Sequence, residues 1–421
     1  KWNTSSVKNM QGMFWNARTA NPDVSNWDTS AVTNTSWMFD GASSAVPDVS
    51  GWDVSGIYSA YYMFDGITLS TANYERLLIN WSAQTLQTHV DFHGGHSTYC
   101  SSAAETARAH IISTYSWTIT DGGQVCNPAD DFVTTWQTDN PGVSNNTSIT
   151  VPMVGGPYDI DWNGDQVFDE FGLTGAATHD YGIGNGGEYT IRIRGIYDSI
   201  SFNNGGDKLK IISLDQWGTN QWTSMYAAFY GASNLEVLAT DDPDFSHVTS
   251  MHNMFWGVVN ANPDTTNWDT SKVTMMAGVF GAAESAVPDV SNWDTSNATN
   301  MAWMFTGAYL ANPDVSNWDT SKVTNMHGMF YRAFSADPEV SGWDVTSLTN
   351  GDAMFADSAL STLNYDALLQ SWNAQTLQTG VLFNAGATTY CSDAAIAARA
   401  NMINLDTWTI LDGGLPARAL L

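Results

Sequence analysis

The chain has 421 residues, 43% hydrophobic and 12% aromatic, enough apolar matter for two or three compact units and too much for general disorder. Its formal charge of −29, from 43 acidic and 14 basic residues, excludes nucleic acid and anionic membranes as partners, because phosphate binding needs clustered Lys and Arg. No apolar run reaches the roughly twenty residues of a membrane span, so no membrane insertion is expected.

A repeat organises the expected elements. The string Asn-Pro-Asp-Val-Ser-Asn-Trp-Asp-Thr-Ser occupies residues 21–30 and returns unchanged at 312–321. Trp2, Trp27 and Trp52 stand 25 residues apart, as do Trp268, Trp293, Trp318 and Trp343, and the pairs Trp81/Trp372, Cys100/Cys391 and Asp121/Asp412 share one offset of 291. A fixed period of this size indicates a solenoid. One unit has too few apolar residues to enclose a core, so Val24, Trp27, Val32, Met38 and Phe39 are expected to be covered by Val49, Trp52, Ile57, Met63 and Phe64 of the next. An extended piece at Val-Ser-x-Trp, a Pro-Asp corner and a helical turn through Met-x-x-Met-Phe predict the fold class. It is a leucine-rich-repeat-like repeat solenoid, with a short strand plus helical turn per coil and an interposed all-β sandwich domain.

In chain order the expected domains are a partial solenoid (1–80), its cap (81–127), a β-sandwich (128–206), a second solenoid (207–366), a second cap (367–414) and a frayed tail (415–421). Lys1 aligns with Asn292 in mid-array, which predicts that the first coil is covered by upstream chain or by a neighbouring molecule stacked end to end, or else frays. Next, the alternation His89-Val-Asp91-Phe-His93 puts two imidazoles and a carboxylate on one outer face. That set suits zinc, and a solvated polar edge is the plainer reading. Ala103, Ala104, Ala107, Ile111 and Ile112 then predict an amphipathic cap helix, followed by strand-like residues 117–119. Cys100 and Cys126 bracket this cap, which points to a disulfide and an oxidising compartment, with a buried thiol pair as the alternative. Cys391 has no counterpart to Cys126.

Strands are expected at 134–138, 148–153, 158–162 and 189–194, with turns at 140–142 and 185–187. Between two of them, side-chain oxygens of Asp161, Asn163, Asp165 and Asp169, the Val167 carbonyl and Glu170 have the spacing to wrap one calcium ion. Gln166 stands where an EF-hand has glycine, and an acidic turn whose Asp and Asn cap backbone groups is the competing account. The aspartates after tryptophan (Asp28, Asp53, Asp269, Asp294, Asp319, Asp344) form a column in which each is expected to accept N–H bonds in its own turn. No Gly-x-Ser-x-Gly, Walker loop or His-Glu-x-x-His occurs, so an enzyme is not expected. Most tryptophans fall at core register; Trp15, Trp37, Trp256 and Trp303 do not, and are the candidates for a binding face such as sugar-stacking platforms.

The units Trp-Asp-Thr-Ser-x-Val-Thr-Asn-Met-x-x-Met-Phe resemble those of BspA-type leucine-rich-repeat surface proteins of bacteria, including the mycoplasma lipoprotein repeat. Asp130-Asp-Phe-Val-Thr-Thr-Trp136, Tyr158-Asp-Ile-Asp-Trp162 and His179-Asp-Tyr181 resemble a PKD-like domain. The resemblance implies an extracellular, surface-located structural or adhesive protein with no shared catalytic residues. The expected partners are copies of itself end to end, or its own continuation as a longer chain or stalk, and surface glycans or proteins. The alternative function is a calcium-dependent module that binds glycans or proteins.

Overall fold

In the computed structural model, residues 2–260 and 262–416 are described; Lys1 and residues 417–421 of the tail expected to fray lie outside them. The repeat units are held together by an unusual division of backbone bonds. The N–H groups of Met10, Gly12, Phe14 and Asn16 donate to the carbonyls of Asn34, Ser36, Met38 and Asp40 in the next unit, at 2.7–2.9 Å. The intervening Met13, Trp15 and Ala17 donate instead to the carbonyl three residues back. A helix would turn every donor inward and a strand would turn none, so this alternation produces neither.

The expected fold class is therefore corrected. The units from Thr4 to Ile67 and from Trp222 to Thr349 contain turns and single parallel bridges in place of a strand plus a helical turn, and the regular elements are several small mixed sheets and four helices. Aspartates drive this result, because side-chain oxygens of Asp23, Asp28, Asp48 and Asp53 each accept the N–H two residues on and close a turn before a longer element can form. The bridges join Asn9, Asn34 and Ser59, and then Ser250, Met275, Asn300, Asn325 and Asn350.

Side chains follow the same 25-residue spacing. Phe229, Phe255, Phe280, Phe305, Phe330 and Phe355 stack in one file with centroids 5.4–5.9 Å apart. Trp268, Trp293, Trp318 and Trp343 form a second file at 6.1–6.5 Å. The indole N–H of Trp52, Trp318 and Trp343 donates to the carbonyl of Val24, Val290 and Val315 respectively, so the buried rings keep their one polar group bonded. Val24, Val32, Met38, Phe39, Val49, Trp52, Ile57, Met63 and Phe64 are all buried, whereas Trp27 is half-buried.

Each array ends in two helices. Helices α1 (Thr71–Ser82) and α2 (Ser102–Tyr115) close the first, with strands β1 (Asp91–His93) and β2 (Thr118–Thr120) paired in parallel beside them. Ser70 and Ser101 accept N–H bonds as N-caps. The middle segment supplies β3 (Phe132–Gln137), β4 (Ser148–Val151), β5 (Met153–Val154), β6 (Tyr158–Asp161), β7 (Glu170–Leu173), β8 (Ala177–Asp180), β9 (Glu188–Gly195) and β10 (Ser199–Ile200). These strands do not form a sandwich of their own. β11 (Ile211–Gln216) and β12 (Glu236–Val237) enter the same six-stranded sheet, ordered β12-β11-β3-β9-β6-β7, while β4 pairs with β8 and β5 with β10. The signal for a separate sandwich fails because β3 finds its second edge partner beyond residue 206, where Leu214 and Ile211 continue the core of Phe132 and Trp136. Strands β13 (Asn350–Gly351), β14 (Leu382–Asn384) and β15 (Thr409–Leu411) and helices α3 (Thr362–Asn373) and α4 (Asp393–Asn404) close the second array.

The two arrays touch directly. Arg76 on α1 donates to the Gln221 carbonyl at 3.2 Å, and His247 lies 3.4 Å from the Asp48 carboxylate.

Candidate functional site

The position two residues before the stacked phenylalanine has a left-handed backbone in every unit where it is described. Glycine fills it at Gly12, Gly278 and Gly328 (φ 60–67°), but Trp37, Tyr62 and Trp303 adopt φ of 54°, 53° and 61°. A bulky side chain there carries a conformational cost that glycine avoids. Beside Gly12, on the flank of the first array, Asn9, Gln11, Trp15, Trp37 and Asp40 line a groove of about 550 Å³. Trp15 is 62% exposed. Asn9 Oδ1 accepts the Gln11 N–H and Gln11 Oε1 accepts from Asn34, which orients both amides and leaves their NH₂ groups free among the described residues. Nothing among the described residues donates to the Asp40 carboxylate. The aromatic surface continues along the flank: Trp37 meets Tyr61 edge-on at 6.0 Å, and His93 packs against Tyr61 and Tyr62 at 4.9 and 4.4 Å.

The other two off-register tryptophans are placed differently. A Cβ at Gly278 or Gly281 would collide with the Trp256 ring, and one at Gly328 with the Trp303 ring. Those rings lie flat on glycine backbone in the next unit, while Trp15 and Trp37 border open space.

In the acidic loop between β6 and β7, the buried Asp161 carboxylate accepts the N–H groups of Asn163, Gly164 and Gln166, at 2.7–3.1 Å. Asn163 and Asp165 accept the N–H of Asp165 and Val167, Asp169 takes the Trp162 N–H, and Glu170 takes the Trp162 indole. This all-oxygen donor set matches a hard cation in kind. Its side chains are also the turn's own backbone caps, and among the described residues no three His, Cys, Asp or Glu are gathered to hold a metal ion. The same holds for His89, Asp91 and His93. His89 turns into the left-handed region at φ 59°, which ends the alternation before β1, and the His93 ring is engaged by the two tyrosines. Cys100 and Cys126 are joined by a disulfide with Cα atoms 4.9 Å apart; Cys391 is a free, exposed thiol.

A second concavity, about 420 Å³, lies between the arrays and is lined by Asp23, Asp48, Asn73, His247 and Lys272 among others. Burial pushes the Asp48 carboxyl up, but hydrogen bonds from His247 and Ser50 and the His247 charge together hold it at about 2. Buried Asn73 Oδ1 and Arg76 Nε have no hydrogen-bond partner there.

The strongest buried polar clusters escaped the motif search. Asp121 accepts Tyr74 Oη at 2.7 Å and Arg108 Nε at 2.8 Å, and Asp412 accepts Tyr365 and Arg399 at 2.7 Å each. Burial, with Asp121 beside it, raises the Tyr74 phenol; burial opposes the Arg108 charge, yet the bond to Asp121 holds its affinity for protons above the ordinary value. The 291-residue offset was the available signal, since Tyr74, Arg108 and Asp121 all recur at it. Glu75 likewise accepts from the N–H groups of Cys100 and Ser101 and from the Ser101 hydroxyl, with Asp366 serving Cys391 and Ser392 in the second cap. Asp159 on β6 binds Ser102 at the start of α2 and Arg194 on β9. These groups hold elements together and face no open groove.

No helix among the described residues is long and apolar enough to cross a membrane. No curated protein and no solved structure matches the chain. One protein family does, over residues 1–95, 201–312 and 277–394, so that the matches take in both sets of repeat units and leave out the strands between them. With the larger part of its length covered, the chain belongs to the bacterial family described as Mycoplasma protein of unknown function, DUF285.

Proposed function

We propose that the chain is an extracellular, surface-located protein with a structural or adhesive role and no catalytic one. The observation that supports this reading is the division of labour among its side chains. The recurring aspartates are committed to backbone turns and the recurring aromatics to the core, while the off-register aromatics are displayed on one flank. The finer likeness to BspA-type proteins, and of residues 130–181 to a PKD-like domain, belongs to the same proposal. So does assembly, by end-to-end association or continuation as a longer chain, through the face where Trp2 is 66% exposed beside Phe14 and Trp27. Protease treatment of intact cells is expected to release peptides of this protein before those of a cytosolic marker, and imaging of the native material is expected to show filaments or stalks. Protection equal to the cytosolic marker would overturn the surface reading.

The second reading, a calcium-dependent module that binds glycans or proteins, is favoured by the winding of three amide donors around the buried Asp161 carboxylate. On that reading calcium raises the melting temperature, chelator lowers it, and magnesium is the weaker ligand because a flexible multi-oxygen loop suits the larger ion. Identical melts under all three conditions would remove calcium from the account.

A further inference from the structure

We infer that the groove at Trp15 and Trp37, together with the aromatic strip that continues to Tyr61, binds a linear chain of neutral sugars. This names the ligand class for the adhesive reading above and rests on it. Three observations converge. First, Trp37 stands in a left-handed backbone position that Gly12, Gly278 and Gly328 fill without strain, and it does not regain that cost by lying on a neighbour's glycine as Trp303 does. A strained bulky residue beside an open groove points to use of its side chain. Second, the groove alternates aromatic faces with polar groups of both kinds. The free amide NH₂ groups of Asn9 and Gln11 donate, and the Asp40 carboxylate accepts. A sugar presents C–H faces that pack on indole rings and hydroxyls that both accept and donate, so one pyranose uses both sets at once. Third, a carboxylate in the groove and a chain charge of −29 disfavour an anionic ligand, which selects neutral sugars over uronates, sialosides or sulfated chains.

The groove's volume of about 550 Å³ lies within the roughly 300–1,000 Å³ of small-ligand sites. Neighbouring units repeat at about the 4.8 Å inter-strand spacing, so rings on successive units are set along the array and favour a chain laid lengthwise.

The test is titration of the full chain with linear cello- and chito-oligosaccharides of increasing length, read by tryptophan fluorescence and calorimetry. Saturable binding that strengthens with length and changes little with salt is expected. Trp15→Ala and Trp37→Gly are each expected to weaken it about tenfold or more, the loss of one stacking platform. Trp37→Gly keeps the fold, since glycine occupies that position in sister units, and its urea midpoint is expected to hold or rise. Trp256→Ala, on the second array, leaves binding unchanged. Absence of saturable binding to either series, or full affinity in Trp37→Gly, would overturn the inference. A surface-exposed protein that binds neither series would leave the surface reading intact, whereas a binding-competent protein confined to the cytosol would leave the groove intact and remove the adhesive role.

Discussion

Replacing Asp159 with alanine is expected to lower the unfolding free energy by about 3–5 kcal/mol, the cost of leaving a buried charge without its partner. Asp159 is fully buried. It accepts the N–H and hydroxyl of Ser102 at 2.9 and 2.7 Å, the Gly172 N–H at 3.0 Å and Arg194 Nε at 3.3 Å. Asp159 and Arg194 are direct partners in the β6–β9 pairing, and Ser102 is the first residue of α2, so this carboxylate joins the first cap to the central sheet at a helix N-terminus that favours negative charge. Arg194 also lies over the Phe168 ring at 3.7 Å and cannot simply swing into water. Asp159→Asn keeps the shape and part of the bonding and is expected to lose less. The measurement is urea unfolding of both variants; an alanine variant within about 1 kcal/mol of the parent, the ordinary scale of a single substitution, would refute the assigned role.

Reducing the Cys100–Cys126 disulfide, or replacing Cys126 with serine, is expected to loosen the first cap by about 2–4 kcal/mol, because the link closes a loop whose freedom in the unfolded chain is otherwise large. The second cap is an internal control. It has the same Tyr–Asp–Arg cluster and the same pair of packed helices, but Cys391 is unpaired. Native hydrogen exchange should therefore accelerate on reduction at Ala104, Ala107 and Ile111 in α2 and stay constant at Ala395, Ala398 and Met402 in α4. Equal acceleration in both helices would show that the bond carries no local load.

Much of the burial pattern was legible because stacking repeats it. Once Val24, Val32, Met38 and Phe39 are recognised as one unit's apolar set, their equivalents 25 residues on follow, and all of these are buried. The α2 pattern was legible for a similar reason, since Ala104, Ala107 and Ile111 line one face and are buried. The form of the unit was not. A sequence marks where a chain turns but not which N–H of a turn reaches the next unit, and the alternation of Met10 to Ala17 between two acceptors is a property of the stack. The middle strands misled for a related reason: β3 chooses β11 across an apparent boundary, and nothing local to residues 132–137 encodes that partner. At the candidate site, off-register tryptophans were legible as a set of four. Their division into two bedded on glycine and two beside a groove depended on the next unit's residues, Gly278, Gly281 and Gly328 against Asp40 and Tyr62.

The constant spacing of the bridges has a genetic consequence. Because Ser250, Met275, Asn300, Asn325 and Asn350 each join only the unit before and the unit after, removing or adding one whole 25-residue unit leaves every other pairing with an equivalent partner. The identical strings at 21–30 and 312–321 show how alike the coding segments are at the protein level. Unequal crossing-over between such segments would change the reach of the molecule by whole steps of one unit without disturbing either pair of closing helices. Length is thus a trait this architecture can vary independently of stability, and the distance at which the Trp15 flank is displayed varies with it.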